Sequence, residues 1–337
     1  MSELDGNSTT GLLEAGVAEY GGRAYGLEPL VLPPAPVPSN GDGHLTRRYA
    51  ELLGTTRTRT RTEPGAVHPG ALTPLGAAGS EEQLFWFRWI TGHQLTFMLW
   101  QELGRRAAEA VVPAPPEEVA AAARLVRGYS AMLLYTASCT RDVYHRIIRP
   151  SMALHHPAFS GAWARDYGPV RALLRGRLPE AWVGWADVLL DECALNDAVH
   201  EGIAGKLVPD APSLLQSAAG DGRALPRDVR AVLFDTYFLT LRAPCSPAEV
   251  AAQLLRRIRV VRDDLAANGL YPAAASSRAE KPDALRTARV EEIERTVPQL
   301  LGRIARDCVR LASPEARAPS PTRVYEHPLE GTGSHGT

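Results

Sequence analysis

The stretch QLFWFRWITGHQLTFMLWQEL, residues Gln83–Leu103, decides the fold of this chain. Ser80 and Gln83 have the spacing of a capping box, so we expect a helix to begin here and to run to about Arg106. Large side chains then recur at steps of three and four residues, which places them on one helix face. This stripe consists of Trp86, Ile90, His93, Phe97 and Trp100. The pattern predicts a buried helix with an aromatic wall.

Helical patterns continue to about residue 313. A second helix is predicted to start after Pro115–Pro116 and to continue unbroken to Arg149, where Pro150 stops it. Pro298 is expected to kink or divide the last helix. No run alternates apolar and polar residues with β-branched enrichment, so we expect almost no sheet. The sequence therefore predicts an all-α fold, a helical bundle.

Three regions differ in composition. Residues 1–79 are rich in glycine and proline and are interpreted as an irregular N-terminal arm. Residues 80–313 are predicted to form one all-helical domain, in which Ser246 and Glu249 make a second capping-box pattern. Residues 314–337 have the composition of a disordered tail.

Composition and charge exclude several classes of protein. The chain has 337 residues, of which 45% are hydrophobic and 22% are charged, so wholesale disorder is excluded. The formal net charge of −1 does not favour nucleic acid as a partner. No apolar run approaches the roughly 20 residues of a membrane span. Four widely spaced cysteines and a start unlike a signal peptide predict a reducing, cytoplasmic location.

The sequence has no Gly-rich phosphate loop, no HExxH motif and no GxSxG elbow. The remaining candidates for a functional site are therefore histidines and aromatic residues within the helices. His93 lies in the middle of the aromatic stripe, next to Gly92. Glycine inside a helix costs about 1 kcal/mol relative to alanine, so Gly92 indicates a close approach to the backbone. That approach is either by a ligand or by a neighbouring helix, and His93 is either functional or a satisfied core histidine.

A second stripe surrounds His200. Its members recur at helical spacing: Trp182, Ala186, Leu189, Cys193, Asn196, His200 and Ile203. The spacing turns His200 inward, where an imidazole is able to ligate a metal. The alternative is a histidine favoured by the dipole at the C-terminal end of a helix.

The segment around His155–His156 is predicted to be a loop before a helix start. The two histidines together with Asp166 suggest an iron site of two histidines and one carboxylate, and turn formation with capping is the alternative. Ser160 and Gly161 offer backbone N–H groups to an anion or a cofactor oxygen. Further sites for a ligand are Tyr144 and Arg149 just before this loop: Arg149 either holds a substrate carboxylate or forms a surface ion pair.

These segments resemble a known family. The aromatic helix with His93–Gln94 is similar to the first active-site helix of tryptophan 2,3-dioxygenase, and Ser160–Gly161 resembles its loop over the haem. The stretch from His156 to Arg171 is more similar to the haem-dependent L-tyrosine 3-hydroxylases of actinomycete antibiotic pathways. The resemblance covers about residues 80–310. It implies a helical bundle like that of the dioxygenase and assembly into a dimer or tetramer.

The resemblance also implies a haem peroxygenase that converts L-tyrosine to L-DOPA with hydrogen peroxide. It makes His200 the ligand of the haem iron and His93 the catalytic group that handles the phenol proton. Ala204 follows four residues after His200, where a relative has a haem-attaching cysteine, so a non-covalent haem b is expected. The remaining assignments are Ser160, Gly161 and Trp163 for the cofactor, and Trp89, Phe97, Tyr144 and Arg149 for the substrate.

Two other functions stay open at the level of sequence. One is a haem-dependent dioxygenase that cleaves tryptophan or another indole with molecular oxygen. The other is a helical protein that binds haem or an aromatic ligand without catalysis.

Overall fold

The computed structural model describes residues 20–21, 25–34, 80–209, 214, 225–272 and 276–312. These residues form an all-α fold, as predicted. Most of the predicted arm and the whole predicted tail lie outside this part of the chain. The helices are α1 (Glu81–Glu109), α2 (Pro116–Thr136), α3 (Arg141–Val143), α4 (Arg149–His155), α5 (Tyr167–Leu174), α6 (Ala186–Leu207), α7 (Arg227–Tyr237), α8 (Pro247–Asn268), α9 (Ser276–Ala279) and α10 (Ala288–Ala312).

The predicted helix starts are confirmed by their caps. The Ser80 hydroxyl accepts the backbone N–H of Gln83 at 3.1 Å, and α1 begins at Glu81, directly after Ser80. At α8, Ser246 and Glu249 exchange both bonds of a capping box. These bonds satisfy N–H groups that have no partner within the helix. Local sequence alone therefore determines where α1 and α8 begin.

Helix α1 packs along α2, which also packs against α6 and α10. Gly92 lies at the α1–α2 contact, where a Cβ atom would come within 2.4 Å of the Thr136 Cγ2 atom. Of the two explanations for this glycine, the close approach of a neighbouring helix is therefore the correct one. The absent side chain lets the two helices meet closely beneath the aromatic stripe.

The predicted unbroken second helix is wrong. Helix α2 ends at Thr136. The chain then forms the short helix α3, and a π-helical turn over Tyr144–Ile148 leads from α3 into α4. Pro150 does not stop a helix but lies in the first turn of α4. Proline is tolerated in a first turn because it has no N–H to donate, and the wider π turn precedes it. Pro298 likewise does not divide α10, which continues through it.

The little sheet that is present joins the arm to the bundle. Strand β1 (Leu30–Leu32) pairs in parallel with β2 (Thr240–Arg242), with Leu30 opposite Thr240. Leu30 and Leu32 are completely buried. Residues 25–34 are thus part of the core rather than an irregular extension. Among the described residues, no helix is long and apolar enough to cross a membrane.

Substituting Gly92 with alanine tests the close helix contact. We expect Gly92→Ala to lower the free energy of unfolding by about 1–3 kcal/mol, because the new methyl group collides with Thr136. The matched control is Gly205→Ala in α6, where a Cβ atom meets nothing within 4 Å. That variant should be as stable as wild type or slightly more stable. Urea unfolding measures both, and equal stabilities would contradict the packing described.

Candidate active site

His93 projects from the middle of α1 into a cluster of aromatic rings. Its Nδ1 atom lies 2.7 Å from the backbone oxygen of Trp89. Since a carbonyl oxygen can only accept, Nδ1 carries the proton and Nε2 carries the lone pair. The imidazole packs against Trp89, at a centroid distance of 4.2 Å and a tilt of 55°, and against Phe238, which stacks on it at 4.5 Å and 21°. Nε2 has no hydrogen-bond partner among the described residues.

Packing against the aromatic rings keeps this half-buried imidazole uncharged. Desolvation lowers the pKa of His93 to about 4, and the bond to the Trp89 carbonyl opposes the shift only in part. Burial favours the neutral form of a base because it disfavours a charge in a poorly solvated place. His93 is therefore a neutral hydrogen-bond acceptor at physiological pH. The neutral form has a lone pair that accepts a hydrogen bond, while the lowered pKa makes it a weak base.

The walls of the cluster come from two further segments, the loop already singled out in the sequence and a helix that sequence reasoning missed. Helix α7 and its end supply three rings, and the loop after α4 supplies a fourth. These residues are Phe234, Tyr237, Phe238 and Phe159. The predicted residue Phe97 joins them, since the centroid of its ring lies 6.4 Å from that of His93 and 5.4 Å from that of Phe238. The only sequence signal was the helical spacing of aromatics in the segment 234–238.

A chain of hydrogen bonds orients Trp89. Its indole N–H donates to the Tyr237 hydroxyl at 3.2 Å, and that hydroxyl lies 2.8 Å from Ser151 Oγ. The Ser151 hydroxyl in turn donates to the backbone oxygen of Ile148 at 2.7 Å. Trp89 was predicted to bind substrate, and it lies at the site. Because its N–H is already engaged, it offers a ring face rather than a hydrogen bond.

The π turn explains how Tyr144 and Arg149 lie on one face. In this turn the N–H of Arg149 bonds to the backbone oxygen of Tyr144, five residues earlier. Tyr144 is buried and packs on Trp89, with 6.2 Å between the centroids of the two rings. Burial raises the pKa of the Tyr144 hydroxyl, and a hydrogen bond from Arg149 opposes the shift. Both predicted substrate residues therefore border the cluster, with the half-buried guanidinium of Arg149 beside a phenol.

The predicted cofactor loop has a mixed outcome. Ser160 caps the short 3₁₀ turn Gly161–Trp163, since its hydroxyl accepts the N–H of Ala162 at 3.3 Å. Trp163 is buried and contacts Phe159 at 5.7 Å. Gly161 is exposed, and a Cβ atom there would meet nothing within 4 Å. The backbone of Gly161 is thus open to solvent.

The prediction that His200 faces inward is wrong. His200 is exposed on α6, and its neighbour Val199 is completely buried instead. Val199 and His200 are neighbours in sequence, so only one of them can face the core. The apolar valine faces the core, and the histidine faces solvent. None of the described ring contacts of the aromatic cluster involves His200. An exposed imidazole is sterically free to bind a metal, so its role as an iron ligand remains a prediction.

The suggested iron site at His155, His156 and Asp166 is also wrong, and capping is the correct alternative for this loop. Arg242 binds both carboxylate oxygens of Asp166, at 2.9 and 2.7 Å. His156 Nδ1 accepts the N–H of Ala158 at 3.0 Å, which is a turn contact. No group of three or more metal-binding side chains occurs within the described ranges. His155 and His156 do border the cluster, at 5.3 Å from Tyr237 and 5.2 Å from Trp163.

A separate cavity of about 730 Å³ lies beside the C-terminal half of α1. Met98, Trp100 and Leu254 contribute to its apolar lining. Its charged residues are already paired, as Arg105 is with Glu102. Of the predicted site residues, only Asp166 lines this cavity, and its carboxylate is paired with Arg242. It therefore takes no part in chemistry at His93.

Comparison with known proteins points to one class of enzyme. The sequence profile of a family described as SfmD 3-methyl-L-tyrosine peroxygenase matches residues 44–191 of this chain. The matched region contains His93, Tyr144, Arg149 and the 3₁₀ turn Gly161–Trp163. It ends before His200.

A curated relative bears the same description. The chain is 29% identical over 222 residues to the 3-methyl-L-tyrosine peroxygenase of Streptomyces lavendulae. The match covers 61% of this chain and 58% of the relative, so the chain spans little more than half of the relative's length. The similarity thus agrees with the resemblance found in the sequence as far as a peroxygenase-like protein.

Proposed function

We propose that this protein is a haem-dependent peroxygenase that hydroxylates L-tyrosine at ring position 3. The overall reaction consumes L-tyrosine and hydrogen peroxide and yields L-DOPA and water. The observation that carries the proposal is the neutral imidazole of His93, whose Nε2 is available at an aromatic site within the region similar to the peroxygenase family. The expected setting is the biosynthesis of a natural product.

The aromatic cluster suits a phenol as substrate. Its ring faces attract another aromatic ring through dispersion and offset stacking. The phenol hydroxyl needs a hydrogen-bond acceptor in such surroundings, and His93 Nε2 provides one. Arg149 at the border of the cluster is the cation that we assign to the carboxylate of the amino acid. Trp89 and Phe97 would then pack against the ring of the substrate.

A haem group would lie with its apolar faces against the aromatic rings and its edge at the exposed turn Gly161–Trp163. We assign Ser160, Gly161 and Trp163 to its binding and, as the resemblance implies, His200 to its iron, although His200 is exposed and does not border the aromatic cluster. When bound, haem supplies the iron chemistry that activates peroxide.

His93 handles the proton of the substrate. A phenol has a pKa of about 10, so it is neutral when it binds. As the ring carbon next to the hydroxyl is oxidised, the O–H group becomes far more acidic, and His93 Nε2 accepts its proton. The Nδ1 bond to the Trp89 carbonyl fixes the tautomer that makes this possible. The aromatic walls exclude water that would compete for the same acceptor.

Replacing His93 tests the proposed function. We expect wild-type protein with L-tyrosine and peroxide to form L-DOPA, and His93→Gln to lower kcat/KM by about 100-fold or more, because glutamine cannot take up the proton. Liquid chromatography with mass detection measures the product. Parallel reactions contain 3-methyl-L-tyrosine with peroxide and L-tryptophan with oxygen. Cleavage of tryptophan, or the absence of any turnover, would contradict the proposal.

Histidine variants test the assignment of the iron ligand. We expect His200→Ala to lose the haem absorption band, whereas His155→Ala and His156→Ala retain it. The latter two are the matched controls, because both imidazoles border the aromatic cluster while His200 does not. Absorption spectra of the purified variants, with haem quantified per chain, give the result. Loss of the band in a control variant and its retention in His200→Ala would move the ligand to that control position.

A further inference from the structure

Phe238 holds a special place beside His93, although no sequence pattern singled it out. It lies between α7 and β2, is almost completely buried, and stacks on the imidazole at 4.5 Å and 21°. Its backbone oxygen accepts the side-chain N–H of Gln94 at 2.9 Å. Gln94 is the residue next to His93 on α1. The ring and the main chain of Phe238 are thus held against the same turn of one helix.

The backbone after Phe238 is strained. Leu239 has a φ of +50°, a left-handed conformation that residues with a side chain rarely adopt. Such a residue persists where its surroundings over-determine it, and strain of this kind clusters at functional sites. Here the Leu239 backbone oxygen accepts the N–H of Leu30 at 2.9 Å, so strand β1 fixes it. Without the left-handed turn the chain could not leave α7 and enter β2 directly after Phe238.

Gln94 is itself fixed from two sides. Its side-chain oxygen accepts the Nε–H of Arg257 at 3.0 Å, and its N–H group also lies 3.1 Å from the backbone oxygen of Glu28. Arg257 is completely buried. The position of Phe238 therefore depends on hydrogen bonds that join α1, α8 and the arm segment.

We infer that Phe238 is the positioning residue of His93: it fixes the tilt of the imidazole, so that Nε2 stays in the aromatic site, and it shields one ring face from water. Trp89 packs against the imidazole from another side, at a centroid distance of 4.2 Å and a tilt of 55°. The catalytic consequence rests on the proposed function, whereas the positioning is a property of the folded chain. Loss of the Phe238 ring leaves the imidazole free to turn and to be hydrated.

The groups around His93 make this shielding decisive for its protonation. The titratable groups that approach it through the described contacts are Tyr144, which packs on Trp89, and Tyr237, which packs on Phe238. Burial raises the pKa of both phenols, that of Tyr237 to about 12, so both are neutral. No charged side chain in the described part of the chain contributes to the low pKa of His93. Its basicity depends on exclusion of water, in which Phe238 takes part.

The variant Phe238→Leu tests this role, with Phe238→Tyr as the conservative replacement. The matched control is Phe85→Leu, the same substitution at a completely buried ring of α1 that makes no ring contact with His93. NMR of histidine labelled with ¹³C, recorded on the protein as purified and assigned with His93→Gln, measures the pKa of His93. We expect Phe238→Leu to raise this pKa by one unit or more, towards the ordinary value of about 6.5.

Kinetics provide the second readout. In Phe238→Leu we expect the acid limb of the pH–rate profile to move to higher pH with the His93 pKa, and kcat to fall at least tenfold with little change in KM. Phe238→Tyr should restore both. An unchanged His93 pKa in Phe238→Leu, or the same change in Phe85→Leu, would overturn the inference. If wild-type protein does not hydroxylate tyrosine, the proposed function fails, while the NMR comparison still decides the positioning role.

Discussion

A buried ion pair between Arg88 and Asp264 sets the orientation of the helix on which the site depends. Both side chains are completely buried, with Arg88 Nε 2.8 Å from Asp264 Oδ2. Arg88 also donates to Ser138 Oγ and to two backbone carbonyls, while Asp264 accepts the hydroxyl of Tyr135. Removal of one partner of such a pair costs about 3–5 kcal/mol, so the bonds of Arg88 favour a single orientation of α1 about its axis. Trp89, one residue later, is thereby directed to the aromatic cluster.

The adjacent residues His93 and Gln94 point in different directions from α1 and have different roles. Gln94 points to the buried Arg257 and to the carbonyl of Phe238, and so it ties α1 to α8 and to the segment before β2. His93 points to the aromatic rings and retains an available Nε2. A His–Gln pair therefore combines a proton acceptor with the group that holds its stacking partner in place.

The parts of the fold that local physics controls were predictable. Capping residues placed the start of α1, and periodic aromatics gave its inner face, including His93. The π turn at Tyr144 was not predictable, because an extra residue in a helical turn leaves no compositional signal. His200 was misplaced because Val199 and His200 fit a stripe of step three or four equally well, and tertiary packing chose the valine. Phe238 was missed because its role comes from a contact across 145 positions of sequence with His93.

The ¹⁵N chemical shifts of the two His93 ring nitrogens, measured with and without bound L-tyrosine, show which nitrogen carries the proton and which one meets the phenol. In the free protein at neutral pH we expect Nδ1 to carry the proton and Nε2 to lack it, as the Trp89 carbonyl requires. On addition of L-tyrosine, the Nε2 resonance should shift as the phenol donates to it, while Nδ1 remains unchanged. A protonated Nε2 in the free protein, or an Nε2 resonance indifferent to bound tyrosine, would contradict this expectation.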